Sequence, residues 1–469
     1  MKRHFFLERE LGNVPKEEAL FLDDSLYDKE PDENKEEKMF LSRGQINRIV
    51  RLIGMRLMGL DETKKPNQLE VFLLGGMREI GTLTITRPTV LHSVLAVVLA
   101  DFAEREAETV QVLANTDSDR PAEHFGVEVA FGKNRKVVSE GAYFIRHQDT
   151  PFVFHIYERE YCGTTLDILY HLRDAEKAER LHDRLIEKLE RGNFYKGQKL
   201  YLRLSRRGAD MAFMSPAVLN ASEVVLPEDL YRVIRKNTLG WLRNADSLRK
   251  AGLPTRRGVL VYGPPGTGKT MLFKSLFREA EGVTGIVAST ETFNEPEEIT
   301  RVFATARGLA PSLLCFEDLD LIGGERRSAP RHENVFLAAL LAELDGVRAN
   351  EEIIVMASTN SPEVIDRALA DRPGRFDVVL EIKPPAEPER KRLFGMFLNR
   401  LDGALPREVT EKDMENLARQ TAGYTGAHLA EAVTRAYSDC IVEQRGVLTG
   451  AGLQEAVASM KKPGKGVGF

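Results

Sequence analysis

Cysteine, net charge and long apolar runs are all scarce in this chain of 469 residues, and each scarcity excludes a class of protein. The three cysteines, Cys162, Cys315 and Cys440, lie far apart and form no Cys-x-x-Cys pair. This spacing argues against a disulfide framework and a zinc ribbon, and it fits a reducing compartment. The net charge of −5 gives no overall attraction to nucleic acid or acidic lipid, and the most apolar window, residues 90–100, is too short to cross a bilayer. We therefore expect a cytoplasmic protein with no integral membrane segment, and we do not expect nucleic acid as its partner.

The first part of the chain has little material for a hydrophobic core. Residues 1–38 end in an acidic run with few apolar side chains, a composition that predicts disorder, with an interaction tail as the alternative. In residues 42–58, apolar side chains recur at helical spacing with arginines between them. This pattern predicts an amphipathic basic helix, which either packs on the rest of the protein or lies on a membrane or nucleic acid.

Residues 39–222 are predicted to form a mixed α/β domain. Helices are expected near residues 90–107 and at 175–191. Strands are expected at residues 69–75, 82–86, 127–131, 151–157 and 199–204. Because this region carries no catalytic constellation, we assign the recognition of a substrate or partner to it.

A glycine-rich segment follows the apolar, strand-like residues 258–262 and precedes residues 271–277, which have helical spacing. Strand, glycine-rich turn and helix are the context that a phosphate-binding loop requires, since backbone N–H groups and the helix start then face phosphate oxygens. Lys269 would reach the β- and γ-phosphates, and the Thr270 hydroxyl would bind Mg²⁺. The alternative, a chance glycine-rich turn, does not account for the flanking elements. The predicted nucleotide-binding residues are Gly263, Pro264, Pro265, Gly266, Thr267, Gly268, Lys269, Thr270 and Met271.

Polar side chains end two further apolar strands. Residues 312–316 lead into Glu317 and Asp318, and residues 353–359 lead into Asn360. Hydrolysis needs one acid to hold Mg²⁺ and another to orient or deprotonate water, and the alternation of side chains along a strand lets neighbouring acids divide these tasks. The amide of Asn360 could bind the γ-phosphate or the attacking water.

In these motifs the chain resembles the AAA (AAA+) ATPases over roughly residues 225–460. The resemblance implies an α/β fold, a P-loop AAA+ module with a parallel sheet, flanking helices and a small helical lid, preceded by the mixed α/β N-terminal domain. Residues 366–377 look like the family's second homology region, in which Arg372 and Arg375 match the arginine fingers that reach a neighbouring subunit's γ-phosphate. Structural salt bridges are the alternative role for these two arginines. Residues 420–428, with Gly426 and Ala427, resemble the lid segment beside the adenine.

The resemblance also implies the organisation of the whole protein. We expect ATP and Mg²⁺ as cofactors. We also expect a homo-oligomer in the form of a hexameric ring, and a protein substrate or adaptor selected by the N-terminal domain. A nucleic-acid-associated motor and a nucleotide-controlled scaffold with little turnover are the rival functions. The expected divisions are a disordered tail at 1–38, the N-terminal domain at 39–222, the large nucleotide-binding subdomain at 223–385, the lid at 386–460 and a flexible tail at 461–469.

The chain departs from family patterns in three respects. The acidic strand end reads Glu317 then Asp318, the reverse of the usual order; by position Glu317 serves Mg²⁺ and Asp318 is the base, with a degenerate ATPase as the alternative. The reversed order also occurs in the assembly-factor branch typified by the mitochondrial AAA protein that inserts the Rieske subunit, whose transmembrane anchor we do not find here. The expected pore loop, residues 289–296, is short and acidic, so Phe293 either grips substrate or belongs to the core. No His-Glu-x-x-His zinc-protease motif follows the module.

Overall fold

The computed structural model describes most of the chain from residue 68 onward. The predicted tails at 1–38 and 461–469, the helix at 42–58, and Arg372 and Arg375 lie outside the described residues. The described residues are 68–73, 79–88, 91–116, 120–159, 163–205, 208–220, 223–289, 293, 295–321, 330–345, 351–360, 376–401 and 405–460.

Of the described strands, five form an antiparallel sheet in the N-terminal region, in the order β1-β7-β6-β5-β2. These strands are β1 (Ile80–Arg87), β2 (Thr109–Leu113), β5 (Gly141–His147), β6 (Thr150–Arg159) and β7 (Gly163–His171). A separate hairpin joins β3 (His124–Ala130) to β4 (Lys133–Val138). The predicted strands at 82–86, 127–131 and 151–157 are confirmed as β1, β3 and β6.

Helices cover both faces of this sheet. In β6, Phe152, Phe154 and Ile156 belong to the same hydrophobic cluster as the helices α2 (His92–Arg105) and α3 (Ala175–Arg191), which confirms both predicted helices. Val153 points to the other face, where it shares a cluster with the helix α1 (Gln68–Leu73). The strand predicted at 69–75 is therefore wrong. Leu69, Phe72 and Leu73 stand at helical i, i+3, i+4 spacing, and packing against the sheet selects the helix.

A second sheet holds seven strands in the described part of the chain, in the order β14-β10-β13-β12-β11-β8-β9. All neighbours pair in parallel except β8 and β9, which form an antiparallel hairpin at one edge. Its strands are β8 (Lys199–Ser205), β9 (Gly208–Phe213), β10 (Arg257–Tyr262), β11 (Thr284–Ser289), β12 (Ser312–Glu317), β13 (Ile353–Thr359) and β14 (Val378–Glu381). The fold class predicted from the sequence, an α/β module built on a parallel sheet, is confirmed.

The hairpin β8–β9 belongs to the second sheet, although it precedes the predicted domain boundary at 222/223. The strand predicted at 199–204 does form, but the predicted boundary places it in the N-terminal domain. In the structure β8 pairs in parallel with β11, with Ile286 opposite Leu200 and Ala288 opposite Leu202. Strands β8 and β9 therefore extend the sheet of the nucleotide-binding region rather than the N-terminal sheet, because their backbone hydrogen bonds lie there.

Helices flank the second sheet and form the lid. Around the sheet lie α4 (Pro216–Asn220), α5 (Glu228–Asn237), α6 (Leu239–Arg243), α7 (Ala245–Lys250), α8 (Lys269–Glu279), α9 (Glu297–Gly308) and α10 (Pro330–Asp345). The lid contains α11 (Glu387–Arg400), α12 (Glu411–Gln420), α13 (Gly426–Val442), α14 (Gly450–Ser459) and the short pair β15 (Arg407–Glu408) and β16 (Leu448–Thr449). Most of the lid's buried apolar residues form a hydrophobic cluster of their own, which Val225 joins. None of the helices in the described ranges combines the length and hydrophobicity that a bilayer span requires.

The N-terminal region and the second sheet share a hydrophobic core. Ile85 of β1, Phe303 of α9 and Phe316 of β12 belong to one continuous cluster of buried residues. The contact is close, because a Cβ atom added to Gly308 would lie 2.9 Å from Cδ1 of Leu91. The N-terminal region is thus packed against α9, which flanks the second sheet.

Candidate functional site

The glycine-rich segment connects β10 to α8 at the carboxyl edge of the second sheet. Gly263 has a φ of 154°, and a Cβ atom there would lie 2.1 Å from the carbonyl oxygen of Ile382. Gly266 has a φ of 77°, and a Cβ atom there would lie 2.6 Å from Cβ of Ala427. Only glycine fits both positions. The loop can therefore pass closely under two neighbouring segments and lead its N–H groups toward the start of α8.

Lys269 is the first residue of α8 and only 6% exposed. Its Nζ donates hydrogen bonds to the carbonyl oxygens of Gly263 at 2.8 Å and Pro264 at 3.0 Å, so the ammonium group lies over the loop. Burial lowers the pKa of Lys269, while the carboxylates of Asp318 and Asp320 act in the opposite direction. A buried ammonium group at a helix start favours the binding of a multiply charged anion.

The acidic strand end changes direction within one residue. Strand β12 ends at Glu317, and Asp318 adopts a left-handed φ of 48°. The Asp318 N–H donates to the Ser358 hydroxyl of β13 at 3.1 Å, which fixes the turn. The two neighbouring carboxylates are thus separated by this turn and not by alternation along a strand. Asp318 lines the cavity described below, whereas Glu317 is not one of the described lining residues.

Asn360 follows β13 and joins the acidic residues to each other. Its Nδ2 donates to Oδ1 of Asp318 at 3.3 Å and to Oδ2 of Asp320 at 3.3 Å, and its backbone N–H donates to Oδ1 of Asp320 at 3.0 Å. Thr359 adds a hydroxyl hydrogen bond to Oδ1 of Asp320 at 2.9 Å. Burial opposes ionisation of Asp320, but the hydrogen bonds from Asn360 and Thr359 outweigh it and hold its pKa below the ordinary value.

The lid closes over the loop from the other side. The Ala427 N–H donates to the carbonyl oxygen of Gly266 at 3.2 Å, so α13 touches the loop directly. Thr425 and His428 cap this helix, since Nδ1 of His428 accepts from the Thr425 N–H at 3.2 Å and the Thr425 hydroxyl lies 2.8 Å from the same nitrogen. The first turn of α13 is thereby held against the loop.

These elements enclose a cavity of about 410 Å³. Its wall brings together many predicted site residues: Pro265, Gly266, Thr267, Gly268, Lys269, Thr270, Met271, Asp318, Asn360, Gly426 and Ala427. A cavity with a phosphate-binding loop at one end and an apolar lid helix at the other has the form of a nucleotide site.

Comparison with known proteins identifies the module. Residues 259–384 match the family described as AAA, the ATPase family associated with various cellular activities. Over this range the chain contains an AAA ATPase domain. The cavity lies at the phosphate-binding loop of this domain, and its wall holds residues that the sequence motifs predict for ATP binding.

The similarity between this chain and three individual AAA proteins covers less than two thirds of the length of each of those proteins. The chain is 38% identical over 204 residues to the "ATP-dependent zinc metalloprotease YME1 homolog" of Schistosoma mansoni, a match covering 42% of this chain and 30% of that protein. It is 36% identical over 230 residues to "ATP-dependent zinc metalloprotease FtsH 2" of Symbiobacterium thermophilum, covering 46% and 38%. It is 34% identical over 239 residues to the "Proteasome-activating nucleotidase" of Methanothermobacter thermautotrophicus, covering 49% and 57%.

Several residues of the AAA cavity were not foreseen from the sequence. From α11, one face formed by Glu389, Leu393, Met396, Phe397 and Arg400 lines the cavity. The spacing of Leu393, Met396, Phe397 and Arg400, at i, i+3, i+4 and i+7, is a signal that could have found this face. The other unforeseen lining residues are Glu223, Val224, Val225, Leu226, Pro227, Lys383, Pro385 and Ala430.

The structure places Phe293, the candidate substrate-gripping residue, in the core. Its side chain is 3% exposed, and its ring centroid lies 6.3 Å from that of Phe316, edge to face. Of the two roles left open for Phe293, the described position corresponds to the core residue.

The donor set around the loop suits magnesium carried with a nucleotide. Among the described residues, no group of three or more His, Cys, Asp or Glu side chains could hold a metal ion by itself. Magnesium needs few protein ligands when phosphate oxygens and water supply the rest. The Thr270 hydroxyl and the adjacent carboxylates provide oxygen ligands of the kind that magnesium prefers.

Proposed function

We propose that the protein is a Mg²⁺-dependent, ring-forming AAA ATPase that remodels, assembles or disassembles a protein substrate selected by its N-terminal region. The observation that carries this proposal is the position of the Asp318 carboxylate. It lines the same cavity as Lys269 and Thr270, and the Asn360 amide holds it. Nucleotide binding alone would need only the loop and the lid. Hydrolysis also needs a carboxylate at the phosphate end of the cavity.

In the proposed reaction each residue has one role. Lys269 binds the β- and γ-phosphates, and Thr270 and Glu317 hold Mg²⁺. Asp318 accepts the proton of a water molecule that attacks the γ-phosphorus, and the bond to the β,γ-bridging oxygen breaks to release ADP. Arg372 and Arg375 of a neighbouring subunit stabilise the charge on the transferred phosphoryl group, which is why a ring, in our proposal a hexamer, is required. Phe293 has no assigned role in this scheme.

A protein substrate is the proposal best supported by the relatives. Two of them are named as proteases and a third as a proteasome activator, so their printed names concern proteins rather than nucleic acids. The N-terminal region shares one hydrophobic cluster with the nucleotide-binding region, which supports a recognition region that is mechanically coupled to the ATPase. The cytoplasmic location stays a prediction from the cysteine content.

The decisive experiment traps the substrate complex. The Asp318→Asn variant should bind ATP without hydrolysing it, so it should retain a specific polypeptide when purified from its own cells with ATP and release it when nucleotide is removed. The matched control is Lys269→Ala, whose ATP binding should be about 10- to 100-fold weaker and which should therefore retain less of the polypeptide at the same ATP concentration. Retention of nucleic acid at high salt would favour the rival motor function. Hydrolysis by Asp318→Asn at the unmodified rate would show that the base is misassigned.

The shared site has its own test. Arg372→Ala subunits and Asp318→Asn subunits should each be inactive alone, and mixing them should restore part of the activity because some interfaces then contain both intact parts. If mixed rings form and no activity returns, the two arginines do not act across a subunit boundary.

A further inference from the structure

Three hydrogen-bond donors converge on one carboxylate behind the ATP site. Asp320 lies in a short 3₁₀ turn (Leu319–Leu321) after β12. Its Oδ1 accepts from the Thr359 hydroxyl at 2.9 Å and from the Asn360 N–H at 3.0 Å, and its Oδ2 accepts from Nδ2 of Asn360 at 3.3 Å. Both oxygens are therefore engaged by the end of the neighbouring strand.

This arrangement dictates the orientation of the Asn360 amide. Because Nδ2 is directed at Oδ2 of Asp320, it is also the atom that meets Oδ1 of Asp318 at 3.3 Å. Turning the amide over would place its oxygen against two carboxylates, which repel it. Asp320 thus determines which atom of Asn360 faces Asp318.

Asp318 depends on such support more than a residue within a strand would. Its backbone is left-handed, with a φ of 48°, and its side chain is one methylene shorter than the glutamate that usually occupies this place. A short carboxylate at a turn has to be held at a fixed angle to reach a water molecule at the γ-phosphate. The described contacts give that task to Asn360.

We propose that Asp320 is a positioning residue for hydrolysis, which fixes the Asn360 amide and, through it, the Asp318 carboxylate. Asp320 is not one of the described residues that line the cavity, whereas Asn360 and Asp318 are. It therefore acts without touching the nucleotide. The inference rests on the proposed roles of Asp318 and Asn360 in hydrolysis.

The test is a double-mutant cycle on ATP turnover. Asp320→Asn keeps the shape of the side chain but replaces one accepting oxygen by a donor, so the Asn360 amide loses its fixed orientation. We expect kcat to fall about 10- to 100-fold, as for other groups that orient a reacting side chain, while the Kd of a fluorescent ATP analogue changes less than about twofold. In an Asn360→Ala background the same substitution should change kcat by less than about twofold, because the group that transmits the effect is gone.

A matched control separates positioning from general damage. Asp413 also accepts several hydrogen bonds, from the Thr410 N–H at 2.9 Å and its hydroxyl at 2.6 Å, but it caps a lid helix that does not face the cavity. Asp413→Asn should leave kcat unchanged. If Asp320→Asn does not fold, Thr359→Val removes one of the three donors without changing the side-chain shape, and a smaller drop in kcat is expected.

The outcomes distinguish the possible failures. If the effects of Asp320→Asn and Asn360→Ala multiply, or if Asp320→Asn weakens ATP binding as much as turnover, Asp320 does not act through Asn360. An unchanged kcat in Thr359→Val together with an unchanged kcat in Asp320→Asn would also overturn the proposal. If Asn360→Ala alone leaves kcat unchanged, the role of Asn360 is wrong, and the ATPase assignment is unaffected.

Discussion

The contact between the phosphate loop and the lid leads to a prediction about Gly266, in which the effect of the lid contact can be measured separately from the effect of backbone strain. In Gly266→Ala, the new Cβ atom would lie 2.6 Å from Cβ of Ala427 and 2.8 Å from the Thr425 hydroxyl. Carbon atoms pack at about 3.5–4.0 Å, so the first turn of α13 has to retreat by about 1 Å. That shift lengthens the 3.2 Å hydrogen bond from the Ala427 N–H to the Gly266 oxygen until it is lost. Two walls of the ATP cavity then move apart.

The magnitude follows from two separate contributions. An alanine at a φ of 77° costs about 1–2 kcal/mol in backbone strain. Loss of the hydrogen bond adds about 1 kcal/mol. The misplacement of about 1 Å is expected to lower kcat/KM for ATP by up to about 100-fold, because the lid no longer meets the nucleotide at the productive distance.

Gly252 provides the matched control. Its φ of 70° is close to that of Gly266, but a Cβ atom added there would meet nothing within 4 Å. Gly252→Ala should therefore show the strain alone, seen as a loss in the unfolding free energy measured with urea, and keep normal ATPase kinetics. Adding Ala427→Gly to Gly266→Ala removes one of the two atoms in collision and should restore part of the kcat/KM.

Equal ATPase kinetics in the two glycine variants would refute this prediction. If Gly266→Ala and Gly252→Ala have the same kcat/KM for ATP, the lid contact does not shape the ATP site.

Three further predictions concern buried or half-buried cations. Lys269→Ala should weaken ATP binding about 10- to 100-fold, since a charge-assisted hydrogen bond contributes about 1.5–3 kcal/mol; unchanged affinity in a calorimetric titration would refute the loop assignment. Burial lowers the pKa of Lys199 to about 8, against an ordinary value of 10.5. Between these pH values the unfolded chain keeps a proton that the folded chain has released, so the unfolding free energy should rise with pH in that window and fall as pH drops through 8; Lys199→Met should remove this rise in urea titrations at pH 7.5 and 9.5. Arg390, 6% exposed, donates from Nε to the Ala418 oxygen at 2.8 Å and from Nη1 to the Pro385 oxygen at 2.7 Å. Arg390→Lys has one nitrogen for two acceptors and should lose about 1–3 kcal/mol of unfolding free energy, and a wild-type denaturation curve would contradict this.

The sequence predicted the parts of the fold that depend on local patterns. The strand, glycine-rich loop and helix around Lys269 could be foreseen because apolar spacing and glycine act within a few residues. The six-residue helix at Gln68–Leu73 could not, since a short apolar run fits either period until its packing partner is known. The pairing of β8 with β11 joins residues about 85 positions apart, and no local pattern shows which sheet receives an edge strand.

The contrast between local patterns and long-range structure also explains which residues of the candidate site could be predicted and which could not. Glu317, Asp318 and Asn360 could be placed at one sheet edge, because the carboxyl ends of parallel strands meet there. The left-handed turn at Asp318 could not be predicted, and it changes the direction of the chain directly after β12. It is this turn that leaves Asp320 beside the end of β13, where it holds Asn360 from behind. A pattern of acidic residues therefore identifies the sheet edge at which the cavity lies, whereas the backbone angle of one residue decides that Asp318 lines the cavity and that Asp320 contacts Asn360.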